Sequence, residues 1–164
     1  MSSMSRKLSV LPLAIRPAVE ADRAAILCLA DRLAAFGPTT RPASDIAQRE
    51  RRALEDALAG RPAGSILLVA DHENLGLLGI VLLDRRRDYF TDDEHGHVSI
   101  LAVAPQAEGQ GVGRALLAAA EDWGRAEGFR RLTLAVFTEN RRARELYQRQ
   151  GWRPELETYY KNLA

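Results

Sequence analysis

Cysteine is nearly missing. Cys28 is the one thiol among 164 residues, which excludes an intramolecular disulfide and any fold stapled by one. It sits in the apolar run Ala24–Ala30 and is expected to be a buried, inert thiol. A reducing cytoplasm suits such a chain. Lysine is almost as scarce: of 23 basic residues only Lys7 and Lys161 are lysines. There is no excess of either charge, because 22 acidic residues bring the net charge to +1. The electrostatic argument for a nucleic-acid partner is therefore absent. Long apolar runs are missing too, and none approaches the roughly 20 residues of a membrane span. Leu8–Ile15 is interrupted by Pro12 and ended by Arg16, so it reads poorly as a secretory core. No membrane partner is expected.

What remains is an ordinary globular mixture, 46% hydrophobic and 27% charged, at a length that suits one domain. Residues 1–10 read as a flexible N-terminal tail, and residues 11–164 as a single domain. Leu13–Arg16 is a short strand candidate. Ile26, Leu29, Ala30 and Leu33 share one helical face, and Gly37-Pro38 ends that helix. A second helix starts with Ser44 or Asp45 as its N-cap, turns Ile46, Ala53, Leu54, Ala57 and Leu58 inward, and stops at Gly60.

The period then changes. Ile66–Ala70 and Leu77–Leu83 are strand-length apolar runs joined by a short turn, as in an antiparallel hairpin. Asp84–Glu94 is polar and reads as a loop, and His97–Val103 is a third strong strand. A glycine-rich turn feeds a helix with Val112, Leu116, Ala119 and Trp123 on one face. Leu132–Phe137 is a strand, Asn140 caps a last helix, and Glu157–Leu163 has the pattern of a final strand. The order β-α-α-β-β-β-α-β-α-β implies an α+β fold. Its central sheet is mixed, mostly antiparallel, and flanked by helices.

Chemistry concentrates in Glu108-Gly109-Gln110-Gly111-Val112-Gly113-Arg114. Glycines spaced by two permit positive φ and leave the backbone bare, so successive N–H groups at a helix start can receive a phosphate. A Walker loop would need Lys-Ser/Thr after the last glycine, where Arg114-Ala115 stands. A dinucleotide fingerprint would need Gly-x-Gly-x-x-Gly in a parallel unit, and the spacing here is Gly-x-Gly-x-Gly. Neither pattern fits.

The chain does resemble the GNAT superfamily of N-acetyltransferases. That family's pyrophosphate motif, Arg/Gln-x-x-Gly-x-Gly/Ala, follows a strand ending apolar-Val-x-Pro. It is matched by Leu101-Ala102-Val103-Ala104-Pro105 and then Glu108–Gly113. The later motif, Asn-x-x-Ala-x-x-x-Tyr and an aromatic after Gly, is matched by Asn140, Ala143, Tyr147 and Gly151-Trp152. One departure is Glu108, where the family has Arg or Gln; a carboxylate there would repel a pyrophosphate unless it turns to solvent.

The resemblance implies acetyl-CoA as co-substrate, no metal, and N-acetylation of a small-molecule or peptide amine. The pyrophosphate would lie on the segment from Glu108 through Gly109, Gln110, Gly111, Val112 and Gly113 to Arg114. The pantetheine arm would pair with the strand edge at Leu101 and Val103. Asn140 matches a cofactor-contacting or capping position, and Tyr147 matches the general acid. The family's carboxylate base is replaced by Ser99. His97, two residues earlier and expected on the same face as Ser99, Leu101 and Val103, is the candidate base, with Glu94 and His95 as alternatives. Homodimerisation is compatible with the resemblance. The competing reading is a non-catalytic acyl-CoA-binding module on the same fold.

Overall fold

The computed structural model describes residues 12–163, so the tail expected at residues 1–10 lies outside the described residues. Strand β1 (Ala14–Pro17) is followed by a short 3-10 turn and helices α1 (Arg23–Ala34) and α2 (Ala43–Leu58). Strands β2 (Ile66–His72), β3 (Gly76–Arg87) and β4 (Glu94–Val103) come next. Then follow α3 (Val112–Ala126), β5 (Leu132–Leu134) and α4 (Arg141–Arg149). The sheet runs in the order β1-β2-β3-β4-β5. Its first three pairings are antiparallel and β4–β5 is parallel. This is the expected mixed α+β architecture.

The core is the set of residues that the sequence periods point inward. Leu68, Val69, Ile80, Val81, Leu82 and Ile100 fill the sheet. Ile26, Leu29 and Ala30 of α1 and Leu54 of α2 cover it, as do Val112, Leu116 and Ala120 of α3. Burying one such aliphatic side chain contributes about 1.5–3 kcal/mol. Gly79 permits the closest approach. A Cβ there would meet the Ala102 carbonyl, Leu116 and Val112, each at 2.9 Å. The missing side chain lets the N-terminal turn of α3 settle directly on β3.

Several local expectations are corrected. Asp84–Arg87 is not loop but the end of β3, paired with Glu94–His97, and only residues 88–93 connect the two strands. Arg85 and Arg87 both reach Glu94, so charge pairs replace apolar contacts on these outer rungs. Helix α2 begins at Ala43 behind Pro42, with no side-chain cap from Ser44 or Asp45. Cys28 is exposed rather than buried, because the inward stripe of α1 passes through Ile26, Leu29 and Ala30. The last strand at Glu157–Leu163 does not form. Strand β5 has only three residues, and Leu156, Tyr159, Tyr160 and Leu163 stay largely exposed, so nothing holds that segment to an edge.

Candidate active site

The site begins with a defect in β4. Register shifts between Leu82 and Leu83, which face Ile100 and Val98. Ser99 is thus the extra residue of a β-bulge, and a bulge bends its strand. The pairing of β4 with β5 stops there as well: Gly96, His97 and Val98 match Leu132, Thr133 and Leu134, and among the described residues no later rung follows. The two parallel strands part, and β4 keeps an open edge from Ser99 to Val103.

The groups on that edge follow from ladder alternation. The Ala104 N–H donates to the Leu78 carbonyl at 2.8 Å. In an antiparallel ladder the intervening residues face the opposite way. The amides of Leu101 and Val103 therefore point to the open side, where an extended amide-bearing chain can add as a strand.

Beyond Val103 a 3-10 turn (Pro105–Ala107) leads to the glycine segment. Gly109 and Gly111 have φ of 73° and 85°, the left-handed region that favours glycine. A Cβ on Gly111 would meet nothing within 4 Å, so its outer side is clear space. Gly111 is the N-cap of α3, and no side chain caps this helix. The first amide bonded back into the turn is that of Ala115, to the Gly111 carbonyl at 3.0 Å. The N–H groups of Val112, Gly113 and Arg114 thus stay available at the positive end of a 15-residue helix. Arg114 is exposed and makes no ion pair among the described residues.

Not every residue of the segment serves this way. The Glu108 and Gln110 amides are turned inward, to the carbonyls of Pro105 at 3.4 Å and Ala107 at 3.3 Å. Gly113 is a packing residue inside α3, where a Cβ would meet Leu146 at 3.0 Å and Val103 at 3.7 Å. That contact joins α3, β4 and α4 at the point where the strands part.

The Glu108 side chain does not turn to solvent. It bridges Arg32 of α1 and Arg142 of α4, one guanidinium on each carboxylate oxygen. Arg32 also lies over the Phe36 ring, 5.5 Å from its centroid. A cavity of about 360 Å³ opens beside this cluster, lined by Phe36, Gly37, Asn140, Arg141 and Arg142 among others. Asn140 caps α4, its Oδ1 accepting from the Ala143 N–H at 3.1 Å. Tyr147 is half-buried on α4 with its ring 6.3 Å from that of Trp152. Burial pushes its hydroxyl up to about 12.

These features match known proteins. The sequence pattern described as the Acetyltransferase (GNAT) family matches residues 31–152. The chain belongs to the GNAT acetyltransferase family. An uncharacterized N-acetyltransferase of Bacillus subtilis, YhfO, is 33% identical over 84% of this chain and 88% of its own length. An aminoglycoside N(6')-acetyltransferase of Stenotrophomonas maltophilia is 37% identical over 72% of this chain and 71% of its own. Mycothiol acetyltransferase of Beutenbergia cavernae is 46% identical over 63 residues, which span 38% of this chain and 21% of that protein. Among solved structures, a putative acetyl transferase from Pyrococcus furiosus shares the fold. Its TM-score is 0.75 at 23% identity, over 92% of this chain and 99% of that one.

Within this GNAT frame, Leu101 and Val103 lie on the open β4 edge, Gly109, Gly111, Val112, Gly113 and Arg114 form the turn and start of α3, and Asn140 and Tyr147 belong to α4, which reaches Gly113 through Leu146. His97 does not join them. Because the bulge inserts one residue, His97 pairs with Asp84 and shares its face with Ile100 and Ala102, opposite Leu101 and Val103. It is buried, with Nδ1 2.7 Å from the Thr133 hydroxyl. Desolvation first, and the nearby Arg86 second, push it down to about 4. Such an imidazole is neutral at physiological pH and a weak proton acceptor. Sequence reasoning missed Arg32, Arg142 and Asp84, because no motif spacing links residues brought together from separate elements.

Proposed function

We propose that this chain transfers the acetyl group of acetyl-CoA to a primary amine of a small molecule, by direct attack in a ternary complex. One observation carries the reading: the open edge at Leu101 and Val103 runs straight into the uncapped start of α3. An extended pantetheine arm and a pyrophosphate need those two surfaces in that order. The amide of Val103 would then polarise the thioester carbonyl and stabilise the oxyanion. The relative named as an aminoglycoside acetyltransferase supports a small polar amine as acceptor.

Tyr147 has the chemistry of a proton donor to the departing thiolate. Its raised pKa keeps the proton in place until a strong base forms beside it. The amine contributes its lone pair, so it must arrive or become neutral. Arg114 adds positive charge at the phosphate end.

A second reading, a non-catalytic acyl-CoA-binding module, draws on Ser99 standing where a carboxylate base would be and on the buried, neutral His97. Thiol release from acetyl-CoA over an amine library that includes aminoglycosides separates the two, run beside a thermal shift with CoA. Turnover with any amine supports the enzyme. A CoA-induced shift without turnover supports the module. Neither response removes both.

A further inference from the structure

The turn that leads into α3 starts with a negative charge. Glu108 stands directly before Gly109, where a bare carboxylate would oppose a pyrophosphate. The carboxylate is not bare, because Arg32 of α1 holds one oxygen and Arg142 of α4 the other. Solvent reaches all three side chains, at 22% for Arg32, 25% for Glu108 and 57% for Arg142, so a ligand can reach them too. Both arginines lie close to the start of α3. Arg142 is one turn before Leu146 on the same face of α4. Leu146 comes within 3.0 Å of where a Cβ on Gly113 would stand. The Gly113 amide is one of those left unbonded at the start of α3. Arg32, in the last turn of α1, is steadied by the Phe36 ring. The cavity between the end of α1 and the start of α4 opens beside the cluster, and the other charges on its rim, Glu139 and Arg141, cancel.

We propose that Arg32 and Arg142 neutralise the pyrophosphate of the cofactor, and that Glu108 is an internal anion that holds both guanidiniums at the turn until the phosphate displaces it; this rests on the acetyl-CoA reading. Two arginines and one glutamate leave one positive charge, the same as a single arginine at position 108 would supply. The cation has moved from the turn to two helices, and the carboxylate keeps it aimed at the turn. A phosphate oxygen offers a guanidinium the same planar pairing as a carboxylate oxygen. The exchange therefore costs no ionic hydrogen bond. The pyrophosphate wins it because it carries more charge than Glu108 and is held by the α3 amides as well. Glu108, once released, turns to solvent.

The test is calorimetry on the full chain without an amine, at two salt concentrations, with CoA and with dephospho-CoA, which lacks the 3′-phosphate. Arg32→Gln and Arg142→Gln are each expected to weaken CoA binding about threefold to fivefold, and the double variant about tenfold or more. The salt dependence should become shallower. The same losses are expected with dephospho-CoA, and Arg142→Lys, which keeps the charge, should recover part of its loss. Glu108→Gln should tighten CoA binding about twofold in the wild type, and by a larger factor in the double variant, where the carboxylate stands unpaired. A folded double variant that binds CoA as the wild type does overturns the proposal and leaves the acyl-transfer reading intact. A loss that vanishes with dephospho-CoA assigns the arginines to the 3′-phosphate and overturns it. A loss with unchanged salt dependence makes the cluster a brace between α1 and α4, which also overturns it. If the double variant misfolds, Arg142→Gln, on the most exposed of the three side chains, decides by the same comparisons. A wild type that binds no CoA overturns the cofactor reading itself, and this proposal with it.

Discussion

From Pro105 to Arg114 the groups that would face a ligand are backbone amides and bare glycine, whereas the corner of Asp84, Ser99 and His97 is built from side chains of two strands. The first region depends on conformation: two positive φ angles, an uncapped helix start and an open strand edge. The second depends on a one-residue slip in register that decides which side chains meet. A backbone site has a local sequence signature, because only glycine permits it. A side-chain site has none, because any neighbouring strand can supply the functional group.

The sharpest break in that comparison is Gly111→Val. At φ 85° a β-branched residue is strained, and its side chain would fill the clear space outside the turn. CoA at 100 times its Kd should stabilise the wild type by about 2.7 kcal/mol, and the variant should show no shift at all. Circular dichroism confirms the fold. A normal CoA shift in a folded Gly111→Val would show that the amides of this turn do not hold the cofactor.

The side-chain region is tested through His97. Its folded pKa of about 4 lies below the ordinary value of 6.5. The unfolded chain therefore binds more protons between those values, and stability falls as pH drops through that window. The cost is roughly 1–3 kcal/mol by the bottom of the window. His97→Gln, which can still pair with Thr133, should flatten this part of the stability profile in urea titrations at pH 7 and pH 4.5. An unchanged slope would mean that His97 is solvated in solution.

Much of the fold was legible because the apolar runs at Ile66–Ala70, Leu77–Leu83 and His97–Val103 need only period and length. Asp84–Arg87 was misread because outer rungs of a hairpin carry ion pairs instead of apolar residues. In the candidate site, the glycine turn and the Asn140 cap could be placed from spacing alone, whereas the Leu101 and Val103 edge came only with the family resemblance. The bulge came from neither. Val98-Ser99-Ile100 reads as uninterrupted strand, so an alternation of two carried His97 to the wrong face. The partners of Glu108 were equally hidden, since Arg32 and Arg142 lie on helices at opposite ends of the chain.

Tyr147 lies on α4, next to Leu146, which packs against Gly113 of α3. Tyr147→Phe keeps the ring against Trp152 and removes the proton donor. CoA is a fair leaving group, so kcat should fall about tenfold, the low end of general acid effects or below, with acetyl-CoA KM nearly unchanged. Stopped-time assays with an accepted amine check this. Full activity in a folded variant would make Tyr147 a packing residue.

The smallest expected effect is at Glu108, and there the two kinds of construction meet. Treated as a lone carboxylate, Glu108 repels a pyrophosphate, and both Gln and Arg should improve binding. The structure separates those two variants. Glu108 is clamped between Arg32 and Arg142, all three at least partly exposed, so the cluster carries one net positive charge. Glu108→Gln removes the repulsion, and its amide oxygen can still accept from a guanidinium. CoA binding should tighten by about 0.5 kcal/mol, more at low salt, since charges this exposed are screened. Glu108→Arg sets a third guanidinium against the other two, so it should splay the ends of α1 and α4 and weaken CoA binding. Calorimetry at two salt concentrations measures both. If Glu108→Arg binds CoA as tightly as Glu108→Gln, the two arginines do not hold Glu108 in solution. The cofactor side would then be governed by the backbone turn alone.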